Sequence, residues 1–312
     1  MLLRNVTEAD LPILFEHQRD PESYRMAAFP PRERDAFMNH WRGKVLGDPA
    51  NLAQAIVVED EVVGYIASFQ SDGRRMIAYW IARARWGQGL ATEALLSFLL
   101  QHESIRPLFA YVAAANLGSI RVLEKCGFQR LEGPSAGVDG TPELLLSLSA
   151  RVRAVEPADV RAIAAIYNHY VTHTIVTFEE TPVADAEMAE RIREIGAAAL
   201  PWLVAELNGR VVGYAYASPW KTRSAYRFSV ETTVYLAPEF GRRGLGTALY
   251  AALFGILKRR GVHAAIGGIA LPNEGSVALH ERFRMQKVAH FPEVGFKQGR
   301  WIDVGYWERV LS

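Results

Sequence analysis

Glu231 carries the first chemical signal in this sequence. It stands in the run V-E-T-T-V-Y-L (Val230–Leu236), which is otherwise β-branched, aromatic or apolar. Such a run suits a buried strand. An ionised carboxylate there is costly unless paired, and burial raises its pKa toward the range of a general base. The same glutamate could instead pair with Arg223 or Arg227, and the residues alone leave both readings open. The run continues into A-P-E-F-G-R-R and then G-L-G-T-A-L-Y. Small residues where a strand turns into a helix let backbone N–H groups approach a phosphate, and the helix N-terminus adds a favourable dipole. Arg242 and Arg243 put positive charge beside that loop, while Lys221 and Arg223 form a basic segment suited to an anionic substrate group.

A strand, a tight loop and a helix must hold these residues. Pro238 ends the strand, because proline has no N–H for a ladder. Leu245, Leu249, Leu253, Ile256 and Leu257 recur at helical spacing, so the next helix buries one face. Upstream, residues 158–172 and 185–195 read as helices. Residues 202–206 and 211–218 read as strands joined by an Asn208-Gly209 type I′ turn. Downstream come a strand over 264–271, a short helix over 276–283, and a hairpin turned by residues 297–300 into a strand over 301–310. The first half has a similar order. A helix over 8–18 has Thr7 as N-cap, and a helix resumes near Arg34 after Pro30-Pro31. A hairpin (54–58 and 62–68) and a strand (75–82) follow. W-G-Q-G-L-A (Trp86–Ala91) then opens a helix, and a strand (108–113) leads to a helix (119–126) capped at Gly127.

Self-comparison gives the architecture. R-N-V-T-E-A-D-L at Arg4 matches R-A-V-E-P-A-D-V at Arg153, and V-V-G-Y recurs at Val62 and Val211. W-G-Q-G-L-A matches G-R-R-G-L-G at Gly241, and N-L-G-S-I-R-V-L at Asn116 matches N-E-G-S-V-A-L-H at Asn273. Four matches in one order predict two copies of one fold, residues 1–150 and 151–312. The chain of 312 residues, half of them apolar, is long enough for two cores. Lys plus Arg is 35 and Asp plus Glu is 34, which speaks against a nucleic-acid partner. Cys126 is the single cysteine, so neither an intrachain disulfide nor a thiolate metal cluster is expected; it reads as a small buried residue. The first residues lack a signal-peptide core and no apolar run approaches the ~20 residues of a membrane span, so a cytoplasmic protein without a membrane partner is expected.

The motifs resemble those of the GNAT N-acetyltransferases. In the second half, P-W-L-V-A-E, A-Y-A-S-P-W-K-T-R-S-A-Y, V-E-T-T-V-Y, G-L-G-T-A-L-Y, L-P-N-E-G-S-V-A-L-H-E and G-R-W-I-D-V-G-Y-W follow the order of the phosphinothricin and methionine sulfoximine N-acetyltransferases. In the first half, W-G-Q-G-L-A and N-L-G-S-I-R-V-L-E-K-C-G-F are similar to the ribosomal-protein N-terminal acetyltransferases. The resemblance implies an α/β (α+β) fold of two tandem acyl-CoA N-acyltransferase domains. Each is a mixed, mostly antiparallel sheet flanked by helices, with CoA between two splayed central strands. It implies acetyl-CoA as cosubstrate, no metal, and a small-molecule amine such as phosphinothricin or methionine sulfoximine as acceptor. The enzymes it resembles are usually homodimers, so the chain is expected as a homodimer or as a monomer whose two copies make that contact internally.

The resemblance also implies roles for residues. Glu231 is the general base, and His280 helps bind substrate or protonates the CoA thiolate. Val234, Leu236, Arg242, Arg243, Gly244, Leu245, Gly246, Thr247, Asn273 and Ser276 hold the cofactor in the second copy. Gln88, Gly89, Ala91 and Asn116 do so in the first. Phe178, Lys221, Arg223, Tyr226 and Tyr235 contact the acceptor, and strand N–H groups near Val234 or Tyr235 stabilise the oxyanion. Two departures stand out. Gly241 replaces the usual Gln or Arg of the loop, and Arg284 replaces a glycine where left-handed backbone is expected. The first copy has no carboxylate in its strand before the loop, and Leu123 stands where a tyrosine acid is usual. It is therefore read either as an acetyltransferase for protein N-termini or other amines, or as a non-catalytic CoA-binding or structural partner.

Overall fold

An arginine and an aspartate six residues apart open both halves of the chain. Arg4 donates to the two carboxylate oxygens of Asp10 at 2.7 Å each. Arg153 does the same to Asp159, at 2.7 and 2.9 Å. Both aspartates also accept a backbone N–H at 2.8 Å, from Thr7 and from Glu156. A paired, charge-assisted fork of this kind fixes the angle at which chain leaves the first strand and enters the first helix. Thr7 stands at the N-cap, as expected, in a capping box with Asp10; its Oγ1 also donates to the Asp10 carboxylate at 2.9 Å, and a 3-10 turn over Glu8–Asp10 precedes the α-helix.

The computed structural model describes the chain apart from residues 28–30, 132–134, 137–139, 242 and 312. The chain divides into two units, Met1–Arg151 and Val152–Ser312. The first contains β1 (Leu2–Asn5), α1 (Leu11–Arg19), α2 (Pro21–Ala27), α3 (Arg34–His40), β2 (Leu52–Val58), β3 (Glu61–Ser71) and β4 (Arg74–Ile81). It continues with α4 (Leu90–Gln101), β5 (Leu108–Ala113), α5 (Leu117–Lys125), β6 (Gln129–Arg130), β7 (Ser135–Ala136) and β8 (Pro142–Leu148). The second contains β9 (Arg151–Ala154), α6 (Val160–His173), α7 (Asp185–Ala197), β10 (Trp202–Leu207), β11 (Arg210–Pro219) and β12 (Ser229–Leu236). It ends with α8 (Leu245–Arg259), β13 (Ala264–Leu271), α9 (Glu274–Arg282), β14 (Gln286–Lys297) and β15 (Arg300–Val310). Among the described residues, no helix is long and apolar enough to cross a membrane.

Each unit is built on one mixed sheet. The strand order is β1-β2-β3-β4-β5-β8-β6 in the first, with β7 also on β8, and β14-β15-β13-β12-β11-β10-β9 in the second. The parallel contacts are β4 with β5 and β12 with β13; the other described pairs are antiparallel. This is the mixed, mostly antiparallel sheet that the sequence led us to expect. The parallel contacts are very short. Only Arg75 and Met76 pair with Leu108 and Phe109, and only Ser229–Glu231 pair with Ala264–Ile266. Beyond those points the central strands part. At the fork of the second sheet, Thr232 Oγ1 donates to the Ile266 carbonyl at 3.2 Å.

Helices cover both faces of the second sheet. α8 is almost wholly buried, with Leu245, Leu249, Leu253 and Leu257 on the stripe read from the sequence. α6 lies on an aromatic layer of Tyr167, Trp202 and Tyr214, with Tyr170, Tyr216 and Tyr235 packed against it. Both residues of the Asn208-Gly209 turn have positive φ, 51° and 75°, as a type I′ hairpin requires. Arg284 is left-handed at φ 59°, so the arginine there holds the conformation that a glycine would adopt without strain. The sequence reading missed α2, the short edge strands β1 and β9, and the strands β6, β7 and β8 that close the first sheet.

Asp10 illustrates what the opening fork contributes. Hydrogen bonds from Arg4 hold its carboxyl down at about 2. A depressed carboxylate stabilises the fold above its unfolded value near 3.8 and loses that contribution as pH falls toward 2. Asp10→Asn is expected to cost the first domain about 2 kcal/mol at neutral pH. Calorimetry should show the lowered melting transition, and the gap to the parent should narrow in acid.

Candidate active site at the parting strands

Glu231 lies at the fork, the last β12 residue to pair with β13. Two backbone bonds define how β12 faces its neighbours. Trp220 N–H donates to the Ser229 carbonyl and Ala237 N–H to the Val212 carbonyl. In an antiparallel ladder the bonding direction alternates. Odd-numbered β12 residues therefore spend their backbone groups on β11, and Val234 and Leu236 point theirs into the split. Of the two candidates for an oxyanion donor, this alternation leaves Val234 facing the split and turns Tyr235 away from it.

The Glu231 side chain shares a sheet face with Ile266, Gly268 and Tyr306, by register. It is half-buried. Burial raises its pKa, and the positive charge of Lys221 partly opposes the rise. Among the described residues no ion pair or hydrogen bond reaches the carboxylate, so the pairing with Arg223 or Arg227 is not formed. Arg227 lies instead over the Phe228 ring, 4.5 Å from its centroid, and donates to the Ser224 carbonyl. Lys221 Nζ sits 4.6 Å from the Trp220 ring centroid.

Tyr235 is on the Glu231 face and joins the aromatic layer, with Tyr167, Tyr170 and Tyr214 at 5.3, 5.0 and 5.6 Å between centroids. Phe178 is brought toward the sheet from the segment after α6. Its ring lies so close on Gly295 that a Cβ there would meet it at 2.3 Å. Lys297 Nζ donates to the Thr177 carbonyl at 2.8 Å, and Thr177 shares a hydrogen bond with the Tyr167 hydroxyl. Phe178 and Tyr226 stay exposed, at 43% and 41%. Arg223 is exposed as well.

His280 goes elsewhere. It projects from α9 against Gly267, whose added Cβ would stand 2.4 Å from its Nε2. Gly267 and Gly268 are successive strand residues, so His280 and Glu231 occupy opposite faces of the sheet. Its Nδ1 lies 2.7 Å from the Ser276 carbonyl and its Nε2 3.0 Å from the Tyr250 hydroxyl. A carbonyl can only accept, so Nδ1 carries the proton and Tyr250 donates to Nε2. Burial lowers the imidazole pKa. The ring is enclosed and partnered within the protein, in the packing of α9 and across the sheet from Glu231.

The glycine loop has a different character. Gly244 is left-handed at φ 74° and starts α8 without a side-chain cap, although Leu245, Gly246 and Thr247 are buried. The first N–H groups of a helix have no partner inside it. Here they form a donor set lacking a side-chain acceptor, which fits a diphosphate. Contrast α9, where Asn273 Oδ1 accepts from Ser276 N–H at 3.1 Å and so is already engaged. Gly246 is needed for close packing, since its Cβ would stand 3.1 Å from Leu279. Arg243 lies over the Phe240 ring, and Arg242 falls outside the described residues.

The first unit repeats this loop. Gly89 is left-handed at φ 80° and opens α4 uncapped, with Gln88 and Ala91 on either side of the turn. Asn116 caps α5 through Ser119 N–H at 3.0 Å. The registers align Met76 with Glu231, because Met76 pairs with Phe69 and Phe109 as Glu231 pairs with Ser218 and Ile266. Met76 is buried, and buried Leu123 takes the place of His280.

Sequence reasoning missed Tyr306, Gly268 and Tyr216, which line the Glu231 face. Their signal was alternation within β13 and β15, and it becomes readable only when the register between strands is known.

Two family models match, both described as "Acetyltransferase (GNAT) domain", over residues 1–129 and 152–305. The phosphinothricin N-acetyltransferase of Streptomyces viridochromogenes is 39% identical over 158 residues, covering 51% of this chain and 86% of that protein. The L-methionine sulfoximine/L-methionine sulfone acetyltransferase of Salmonella typhimurium is 35% identical over 164 residues, covering 52% of this chain and 94% of that protein. A crystal structure of a phosphinothricin acetyltransferase from Sinorhizobium meliloti in complex with AcCoA superposes with a TM-score of 0.52 at 38% identity, over 53% of this chain and 90% of that one. The chain therefore belongs to the GNAT family: it is an acetyl-CoA-dependent N-acetyltransferase with two of the family's domains in tandem.

Proposed function

We propose that the second domain acetylates the amino group of a small amino acid of the phosphinothricin or methionine sulfoximine kind, with Glu231 as general base. The observation that carries this reading is an unpaired, half-buried carboxylate with a raised pKa at the point where the central strands part. Acetyl-CoA supplies an activated acetyl thioester. The uncapped N–H groups of Leu245, Gly246 and Thr247, with Gly244 and Arg243, hold its diphosphate. Val234 and Leu236 face its arm along the split, beside Asn273 and Ser276. Val234 N–H is the donor for charge developing on the acetyl oxygen.

Glu231 takes the proton that the acceptor ammonium must lose. Lys221 and Arg223 attract the acceptor's anionic group, and Phe178, Tyr226 and Tyr235 border its side chain. His280 keeps α9 in place and does not join the proton transfer. The first domain retains the loop and lacks the base, so we assign it no transfer by this route. It acts as a non-catalytic partner that keeps the cofactor loop.

CoA release by the full chain tests the reading. Phosphinothricin and methionine sulfoximine are expected to turn over, and a peptide N-terminus is not. Turnover with the peptide alone would move the chemistry to the first domain. Glu231→Gln should lower kcat about 10²–10⁴-fold. Because the base must be ionised, kcat/KM should fall as pH drops through the raised Glu231 pKa. Lys221→Met should shift that acid limb to higher pH, since it removes the opposing charge.

The same carboxylate makes a stability prediction of opposite sign. A pKa raised by folding means that ionised Glu231 costs the native state, while below the unfolded value near 4.5 there is no cost. Glu231→Gln is therefore expected to melt higher than the parent at neutral pH, with the advantage vanishing in acid. An equal or lower melting point at neutral pH would mean that the carboxylate is better accommodated than its burial implies.

A further inference from the structure

Gly268 leaves a small space on the Glu231 face, and two side chains fill it. A Cβ on Gly268 would stand 3.2 Å from Glu231 Oε1 and 3.1 Å from the edge of the Tyr306 ring. Tyr306 pairs directly with Gly268 across β13 and β15, so its ring rises from the bank of the split opposite β12. That ring is itself fixed. Trp220 meets it edge-on at 5.6 Å between centroids and Phe291 at 5.7 Å. The phenol is half-buried beside the carboxylate.

The first domain supplies an internal comparison. By register, Met76, Tyr111 and Leu145 occupy the positions of Glu231, Gly268 and Tyr306. The carboxylate, the glycine that makes room for it and the tyrosine beside it are all absent together. Three positions on three strands have changed as a set, which links Gly268 and Tyr306 to the carboxylate rather than to the sheet.

We propose that Tyr306 is a positioning residue for Glu231, and that Gly268 is the opening through which its ring closes the far side of the carboxylate and limits the directions from which a proton can arrive. The inference rests on Glu231 being the base. The titratable groups around that carboxylate are Lys221 after β11, Tyr216 on β11, Tyr250 on α8 and Tyr306 on β15. Burial raises the three phenols, so Tyr306 brings no charge to the carboxylate and removal of its ring acts through solvent access.

Kinetics of the full chain across pH, with acetyl-CoA and phosphinothricin, separate the outcomes. Glu231→Gln comes first, and loss of the acid limb secures the base. Tyr306→Ala should then move the acid limb of kcat/KM to lower pH and reduce kcat about tenfold, because water enters beside the carboxylate. Tyr306→Phe, which keeps the ring, should restore both. Gly268→Ala should lower kcat with little change in melting temperature, since its methyl group meets Glu231 and Tyr306 at the surface of the split. An acid limb in Tyr306→Ala that stays within a few tenths of a pH unit of the parent would overturn the proposal, as would a Tyr306→Phe variant no better than alanine. If Glu231→Gln keeps its acid limb, the assignment of the base fails instead.

Discussion

The parting of two parallel strands is the constraint on which this structure depends. β12 and β13 hold together over three residues, and β4 and β5 over two. A sheet that opens this early leaves backbone donors and acceptors without a ladder, and such groups must find partners. Some are found locally: in the second domain the Tyr170 hydroxyl donates to the Leu236 carbonyl at 2.6 Å. In the first domain, Trp86 Nε1 donates to the Ile81 carbonyl at 2.9 Å. The remainder face an open cleft that ends at a helix N-terminus without a cap. Strand, cleft and helix together suit a long ligand with an anionic end, and Glu231 stands where the strands part.

The two domains share their scaffold down to single interactions. The Arg4–Asp10 and Arg153–Asp159 forks have the same spacing and nearly the same distances. Asn116 and Asn273 cap equivalent helices, and Gly89 and Gly244 adopt the same left-handed turn. Two side chains near the fork have not been kept with the scaffold. Methionine replaces the glutamate, and leucine replaces the histidine. What is common to both halves builds the fold and the loop, and the two differences lie on opposite faces of the sheet near the point where its strands part.

Much of this was legible in the sequence because it is local. Glycine spacing located both loops, and the leucine period located α8. Asn208-Gly209 specified its turn, and the odd Arg284 marked a left-handed residue. Glu231 was legible because a charge inside an apolar strand breaks its own pattern. The missed features depend on register between distant segments. Nothing near His280 reveals that its ring lies across the sheet from Glu231; the motif spacing suggested an acid, and packing against Gly267 and Tyr250 made it a buried, neutral ring. Tyr306 lies 75 residues beyond Glu231, and only strand order brings them together. Thr7 was legible as the cap, whereas the Arg4 fork on Asp10 that joins it depends on the fold around β1.

The glycine–histidine contact has a consequence for how the two halves could have diverged. Gly267 and His280 form a matched pair, and by register the first domain has Ala110 and Leu123 in their places, both buried. Neither member of the second pair can be exchanged alone: a methyl group at 267 collides with the ring, and a smaller residue at 280 leaves a void over a bare backbone. The two halves are therefore not interchangeable one residue at a time. A carboxylate restored at position 76 would find Tyr111 where the second domain offers only the hydrogen of a glycine. Passing from one arrangement to the other therefore takes several simultaneous replacements, so each half holds its own set of side chains as a unit.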